Sequence, residues 1–279
     1  MQLSRAFDLY KANYMIIKKQ SRRILESHDT CRRSLCQFLG DIDVAELTTE
    51  DIGRWTKELE KTRCTNTIRN YLTRLRVVLD YCQLRDIPAL KAALVPIPKR
   101  DATVPVFLTE NEVEAMLEAS YSVRNAFIIS LLYSSGIRLS ELIQLNRGQI
   151  AERRFTVIGK GKKPRLCFID ERTEKLMDVY LRQRTDRSAA LIVSNLHKDR
   201  MTATNVQLVI TNTAKRAGIA KHVTPHVLRH SFATNFLKNN GNMRYLSAML
   251  GHASMDTTMM YAHVVDTDLQ RQYEKYHTI

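Results

Sequence analysis

Four of the six prolines, Pro88, Pro96, Pro98 and Pro105, fall in one short window of the chain. Proline removes a backbone donor and pushes the residue before it out of the α region. No helix can therefore run through Val95-Pro-Ile-Pro-Lys-Arg-Asp-Ala-Thr-Val-Pro105. The expected organisation is two bodies: a first domain over residues 1–94, an extended basic linker over 95–105 and a second domain over 106–279. A length of 279 residues suits two ordinary domains.

Charge says what such a pair of domains would meet. Forty-three Lys and Arg against 29 Asp and Glu leave a formal excess of +14. Residues 1–100 hold 19 basic and 12 acidic side chains and the remainder 24 and 17, so each half carries +7. A basic tail on a neutral body is thereby excluded, and both halves are suited to one polyanion, most often nucleic acid. No apolar run approaches the roughly 18 residues of a membrane span, and Met1 to Lys19 mixes charges with apolar residues instead of forming a signal-peptide core. A cytoplasmic, nucleoid-associated protein is the expectation. The five cysteines are odd in number and form no CxxC pair. Neither a disulfide framework nor a zinc site is indicated, and buried small hydrophobes are expected.

The first half reads as helical. Apolar residues recur at spacings of three and four over Leu3 to about Lys18 and over Ser21 to Leu39. Thr48 with Asp51 resembles a capping box opening a helix to Lys61, and Thr65 opens another through Cys82. The polar side of that last helix carries Arg69, Arg74 and Arg76, candidate phosphate contacts. The second half is mixed. Thr109 and Glu112 form a capping box, residues 124–134 form a strongly apolar helix, and Gly136 suits its C-terminal turn. Two β-rich runs, Arg154–Ile158 and Arg165–Ile169, flank Gly159-Lys-Gly-Lys-Lys163 and read as a hairpin with a basic tip. Helices are expected at about 171–184, 202–217, 226–239 and 243–250, the third opened by Thr224 as cap and Pro225 at the first position. The fold class is thus mainly α with a small β-hairpin.

Several side chains in this frame carry chemistry. His226 and Arg229 stand three apart in a first helical turn, where the helix terminus itself favours an anion. His226 and His230 have an i, i+4 spacing, but no third ligand accompanies them and no metal is expected. Arg138 follows the Gly136 turn directly, with Glu141 three residues on. Farther along come Gly251-His252 and, nine residues after the histidine, Tyr261.

These features in this order resemble the tyrosine recombinases of the phage-integrase family. The strings are GIRLSEL at 136–142, VIGKGKKPR at 157–165, TPHVLRHSFAT at 224–234, LGHAS at 250–254 and TTMMYAH at 257–263. The resemblance covers nearly the whole chain. It implies a SAM-like helical core-binding domain followed by an α+β catalytic domain. It implies an active set of Arg138, Lys160, His226, Arg229, His252 and Tyr261. Two arginines would clamp the non-bridging oxygens of a phosphodiester, and Tyr261 would form a 3′-phosphotyrosine while a 5′-hydroxyl leaves. Lys160 would protonate that oxygen, with Lys162 and Lys163 as competing candidates and further DNA contacts. Glu141 is too acidic to touch phosphate and is expected to hold Arg138. Covalent storage needs neither a nucleotide cofactor nor a metal.

The implied partner is double-stranded DNA, clamped by the two domains, with four protomers pairing two sites and exchanging strands through a Holliday junction. The tetramer would be of one or two kinds of protomer, and an accessory or motor protein is a further possible partner. Residues 264–279, with Leu269, Tyr273 and Tyr276 at helical spacing, are expected to dock on a neighbouring protomer. A single helical domain before the catalytic one resembles the Xer type, which resolves chromosome or plasmid dimers, although small mobile-element integrases share the layout. Two other functions fit parts of the pattern: a type IB topoisomerase, which would relax supercoils with no site requirement, and a DNA-binding regulator without catalysis.

Overall fold

In a computed structural model, residues 1–99, 105–159 and 163–251 are described. Lys160, Lys162, His252, Tyr261 and the expected docking segment 264–279 lie outside the described residues. The chain divides into two compact units, Met1–Thr103 and Val104–Ile279.

The first unit is all helix. Its elements are α1 (Leu3–Tyr10), a π-helical turn (Lys11–Ile16), α2 (Arg22–Leu39), α3 (Thr49–Glu60), α4 (Thr65–Gln83) and a short 3₁₀ turn (Ala92–Leu94). Helix α3 starts where its capping box requires: the Thr48 amide donates to the Asp51 carboxylate at 3.1 Å, and the Asp51 amide donates to Thr48 Oγ1 at 3.2 Å. Leu72, Leu75, Val78 and Leu79 of α4 are fully buried against Phe7, Leu35, Ile52 and Trp55. The expected first helix, Leu3 to about Lys18, is split in type: its last turns widen to the i→i+5 pattern.

The proline-rich segment does not begin as a free linker. Val95 is fully buried in the first core, and Ile97 packs against it. The Val95 carbonyl accepts from Arg76 Nε at 2.8 Å. Apolar burial and a charge-assisted bond hold these residues on the domain.

The second unit is built around α6 (Val123–Ser135). Ala126 to Leu132 of this helix are all buried, so it is enclosed on every side. It packs against α5 (Glu110–Glu118), α8 (Glu171–Arg182), α9 (Ala203–Arg216) and α10 (Pro225–Lys238). A four-residue helix, α7 (Leu139–Leu142), follows α6, and α11 (Met243–Leu250) follows α10. The hairpin pairs β1 (Arg154–Ile158) with β2 (Pro164–Phe168), one residue earlier than the expected second strand, with Phe155 opposite Cys167 and Val157 opposite Arg165. Phe155, Val157 and Cys167 face the core, whereas Ile158, Leu166 and Phe168 are exposed on the other face. No described helix is long and apolar enough to cross a membrane. Of the cysteines, Cys31, Cys82 and Cys167 are buried as expected, but Cys36 is half-buried and Cys64 exposed. Cys64 precedes α4 at its N-cap position, a place that helix geometry puts at the surface.

One glycine fixes the path into the site. Gly136 ends α6 with φ +61°, and a Cβ built there would meet the Phe232 ring at 2.4 Å. Left-handed strain costs about 1–2 kcal/mol and overpacking a further ~1–3 kcal/mol. Gly136→Ala is therefore expected to lower unfolding free energy by about 2–5 kcal/mol, a difference that chemical denaturation resolves, with unchanged slope.

Candidate active site

Four chain segments meet beside the end of α11, and two buried arginines join them. Arg229 sits in the second turn of α10, whose start is set by Thr224, the acceptor of the Val227 amide, and by Pro225 in the first turn. The residue is only 5% exposed. Nη1 donates to the carbonyl of Gly136, two residues before Arg138, and Nη2 donates to that of Leu250 at 2.6 Å. Arg165, on the inner face of β2, donates from Nε to the Met249 carbonyl at 2.8 Å. The last carbonyls of α11 are thus held by two cations, the sign that a helix C-terminus favours. Gly251 then turns the chain with φ +62°. A Cβ there would lie 2.8 Å from Arg165 Cδ, so the arginine and the turn are in close contact.

Arg138 occupies the N-cap position of α7 in extended conformation. Its amide donates to Glu141 Oε2 at 2.8 Å, and its Nη1 donates to Glu141 Oε1 at 3.1 Å. The same carboxylate receives a paired fork from Arg165: Nη1 to Oε1 at 2.7 Å and Nη2 to Oε2 at 2.5 Å. Side-chain exposure falls from 30% at Arg138 to 8% at Arg165 and 6% at Glu141. Arg138 is therefore the solvent-facing member of the triad. Burial alone would raise the Glu141 pKa, but the bonds and charges of Arg165 and Arg138 outweigh it and hold the carboxyl below its ordinary value. Burial opposes the charge of Arg165 too, and Glu141 more than restores it.

The histidines differ. His226 is exposed at the start of α10, and His230, one turn on, is half-buried. Burial, then the neighbouring His226 and Arg229, lower the His230 pKa. Among the described residues no group of three or more His, Cys, Asp or Glu is placed to hold a metal ion.

Of the residues selected from sequence, the structure gathers Arg138, Glu141 and Arg229 around the Gly136 turn, with His226 in the first turn of α10. Lys163 is exposed at the edge of the hairpin tip. In the first unit, Arg74 donates to Ser27 Oγ at 3.1 Å, Arg76 is bonded to Val95, and Arg69 is partly exposed on α4. Arg165 was not among the selected residues. Its signal was parity: alternation along β2 puts it on the same face as Cys167, where a cation needs a buried partner.

Compared with known proteins, residues 106–268 match the model of the phage integrase family. The tyrosine recombinase XerD of Oceanobacillus iheyensis is 34% identical over 229 residues, 77% of this chain and 77% of that protein. The tyrosine recombinase XerD of Pseudomonas aeruginosa is 31% identical over 273 residues, 90% of this chain and 91% of its own length. Among solved structures, the XerA recombinase matches with 30% identity and a TM-score of 0.56, covering 99% of this chain and 98% of that one. The Tn1549 transposon integrase, solved with a circular intermediate DNA, has a TM-score of 0.82 at 18% identity, covers 98% of this chain and 99% of that one, and supports the fold alone.

Proposed function

The chain belongs to the phage integrase family, and on that premise we propose that it is a site-specific tyrosine recombinase acting on duplex DNA. It cuts and rejoins strands through Tyr261 without a nucleotide or metal cofactor. The single observation that carries this reading is the Gly136 turn, which presents Arg138 while its own carbonyl is bonded by the buried Arg229. One turn thereby links the two arginines that a phosphodiester in its transition state needs.

The Tyr261 phenol oxygen attacks phosphorus, and the bond from phosphorus to the 5′ oxygen breaks. That oxygen takes its proton from Lys160, and a 3′-phosphotyrosine holds the strand. Arg138 and Arg229 stabilise the charge that spreads over the non-bridging oxygens. His226 and His252 orient the phosphate, and one of these imidazoles takes the phenol proton as the new bond forms. A second 5′-hydroxyl reverses the sequence and reseals the bond. Glu141 touches Arg138 and not the phosphate. Lys162, Lys163 and Arg69 supply backbone contacts, so affinity falls as salt rises.

The biological role is Xer-like: protomers assemble as a tetramer on two paired sites and exchange strands through a Holliday junction, separating joined chromosomes or plasmids in the nucleoid. Overall relatedness to Xer recombinases along both units supports this reading over that of a mobile-element integrase. Residues 264–279 serve as the docking segment between protomers, and an accessory or motor protein acts on the assembled complex.

The test is covalent capture. Full-length protein is incubated with nicked duplexes tiled across the DNA flanking its gene, without metal or ATP. The expected product is an adduct that survives detergent and whose peptide map places the nucleotide on Tyr261. Cleavage that leaves no protein–DNA bond, or a bond through another residue, overturns the proposal.

A further inference from the structure

Glu141 is shared between two guanidinium groups, and the sharing is unequal. Arg165 takes both carboxylate oxygens at 2.7 and 2.5 Å, whereas the Arg138 side chain reaches one at 3.1 Å. Two cations on one anion leave the cluster one positive charge in excess, and its exposed member is Arg138. Without Arg165 the carboxylate would face Arg138 alone and cancel it. The same Arg165 reaches 84 residues along the chain to the Met249 carbonyl and lies against Gly251, the residue before His252. Its aliphatic stem occupies the space that only glycine leaves open at that turn.

We infer that Arg165 is a positioning residue of the strand-transfer site: it occupies Glu141 so that Arg138 keeps its charge for the phosphate, and it braces the turn leading into His252. The inference rests on the reading of this site as a phosphoryl-transfer centre. Arg165 touches no reacting atom. It acts through Glu141 and through the α11 carbonyl, and a guanidinium suits this because one planar group supplies the fork and the third bond together.

Single-turnover adduct formation tests it, on a nicked duplex that the wild-type chain captures. Arg165→Gln is expected to bind that duplex within about threefold of wild type and to form adduct about 30- to 100-fold more slowly, the range for a displaced catalytic group. The double variant Arg165→Gln/Glu141→Gln carries no unpaired carboxylate, so Arg138 regains its charge. Its rate is expected to recover to within about tenfold of wild type. A residue with only a structural role would show no such rescue, because a second substitution in a damaged core adds to the loss. Should Arg165→Gln fail to fold, Arg165→Lys keeps the charge but not the fork; it is expected to fold and to lose about tenfold in rate at unchanged affinity. Undiminished adduct formation by the single variants, or a double variant as slow as Arg165→Gln, overturns the inference while leaving the recombinase reading intact. Failure of the wild type to form an adduct on any tiled duplex overturns that reading first, and this inference with it.

Discussion

Arg229→Ala is expected to form adduct about 10²–10³-fold more slowly than wild type, equivalent to ~2.7–4 kcal/mol of barrier for one lost oxyanion donor. Two effects add in this variant. The first is chemical, since one arm of the proposed phosphate clamp is gone. The second is architectural: Nη1 and Nη2 bond the carbonyls of Gly136 and Leu250, at the ends of two helices that lead directly into Arg138 and His252. Truncation leaves both carbonyls without that partner at a position only 5% exposed. Each unsatisfied buried polar group costs about 1–3 kcal/mol, so the variant should also melt several degrees below wild type. Arg229→Lys separates the effects. A single ammonium cannot bond both carbonyls in the geometry of a planar fork. It preserves the buried charge, so stability should fall less than in the alanine variant while cleavage stays strongly impaired. Rates from single-turnover capture, set beside thermal unfolding of the same preparations, check both parts. Near wild-type cleavage by the lysine variant would rule out a fork-dependent role.

How much of this was legible in the sequence depends on how far apart the interacting residues are. Helix starts at Thr48, Thr109 and Thr224 were readable, because a cap and its partner lie three residues apart. The Gly136 turn was readable for the same reason: a left-handed C-cap needs glycine whatever surrounds it. The π-helical widening at Lys11–Ile16 and the single turn of α7 were not, since neither has a local signature distinct from its α-helical neighbours. Arg165 went unselected although the string containing it was recognised. Its partners, Glu141 and Met249, are 24 and 84 residues away, and only the tertiary fold brings them together. Arg76 illustrates the converse. Periodicity puts it on the polar side of α4, yet its guanidinium is bonded to a backbone carbonyl of the proline-rich segment, a contact that helical patterning cannot encode.

Glu141→Ala should be among the most destabilising single changes in the second unit. The carboxylate is 6% exposed; it accepts from two donors of Arg138, the amide and Nη1, and both of its oxygens accept from the fork of Arg165, itself 8% exposed. Removing one partner of a buried pair typically costs about 3–5 kcal/mol, because the other charge is left without compensation. Here two cations would then face each other, so Arg138 is pushed outward and loses its hold on α7. The pH dependence has a definite sign. The folded-state pKa of Glu141 lies below its ordinary value of 4.5. The carboxylate therefore contributes its full stabilisation above that value and loses it as pH falls through the depressed one. Denaturant titrations of wild type and Glu141→Gln should run parallel from neutral pH down to about 5 and converge at lower pH. A gap that stays constant into the acid range would show that the carboxylate's charge is not what holds Arg138 and Arg165 together.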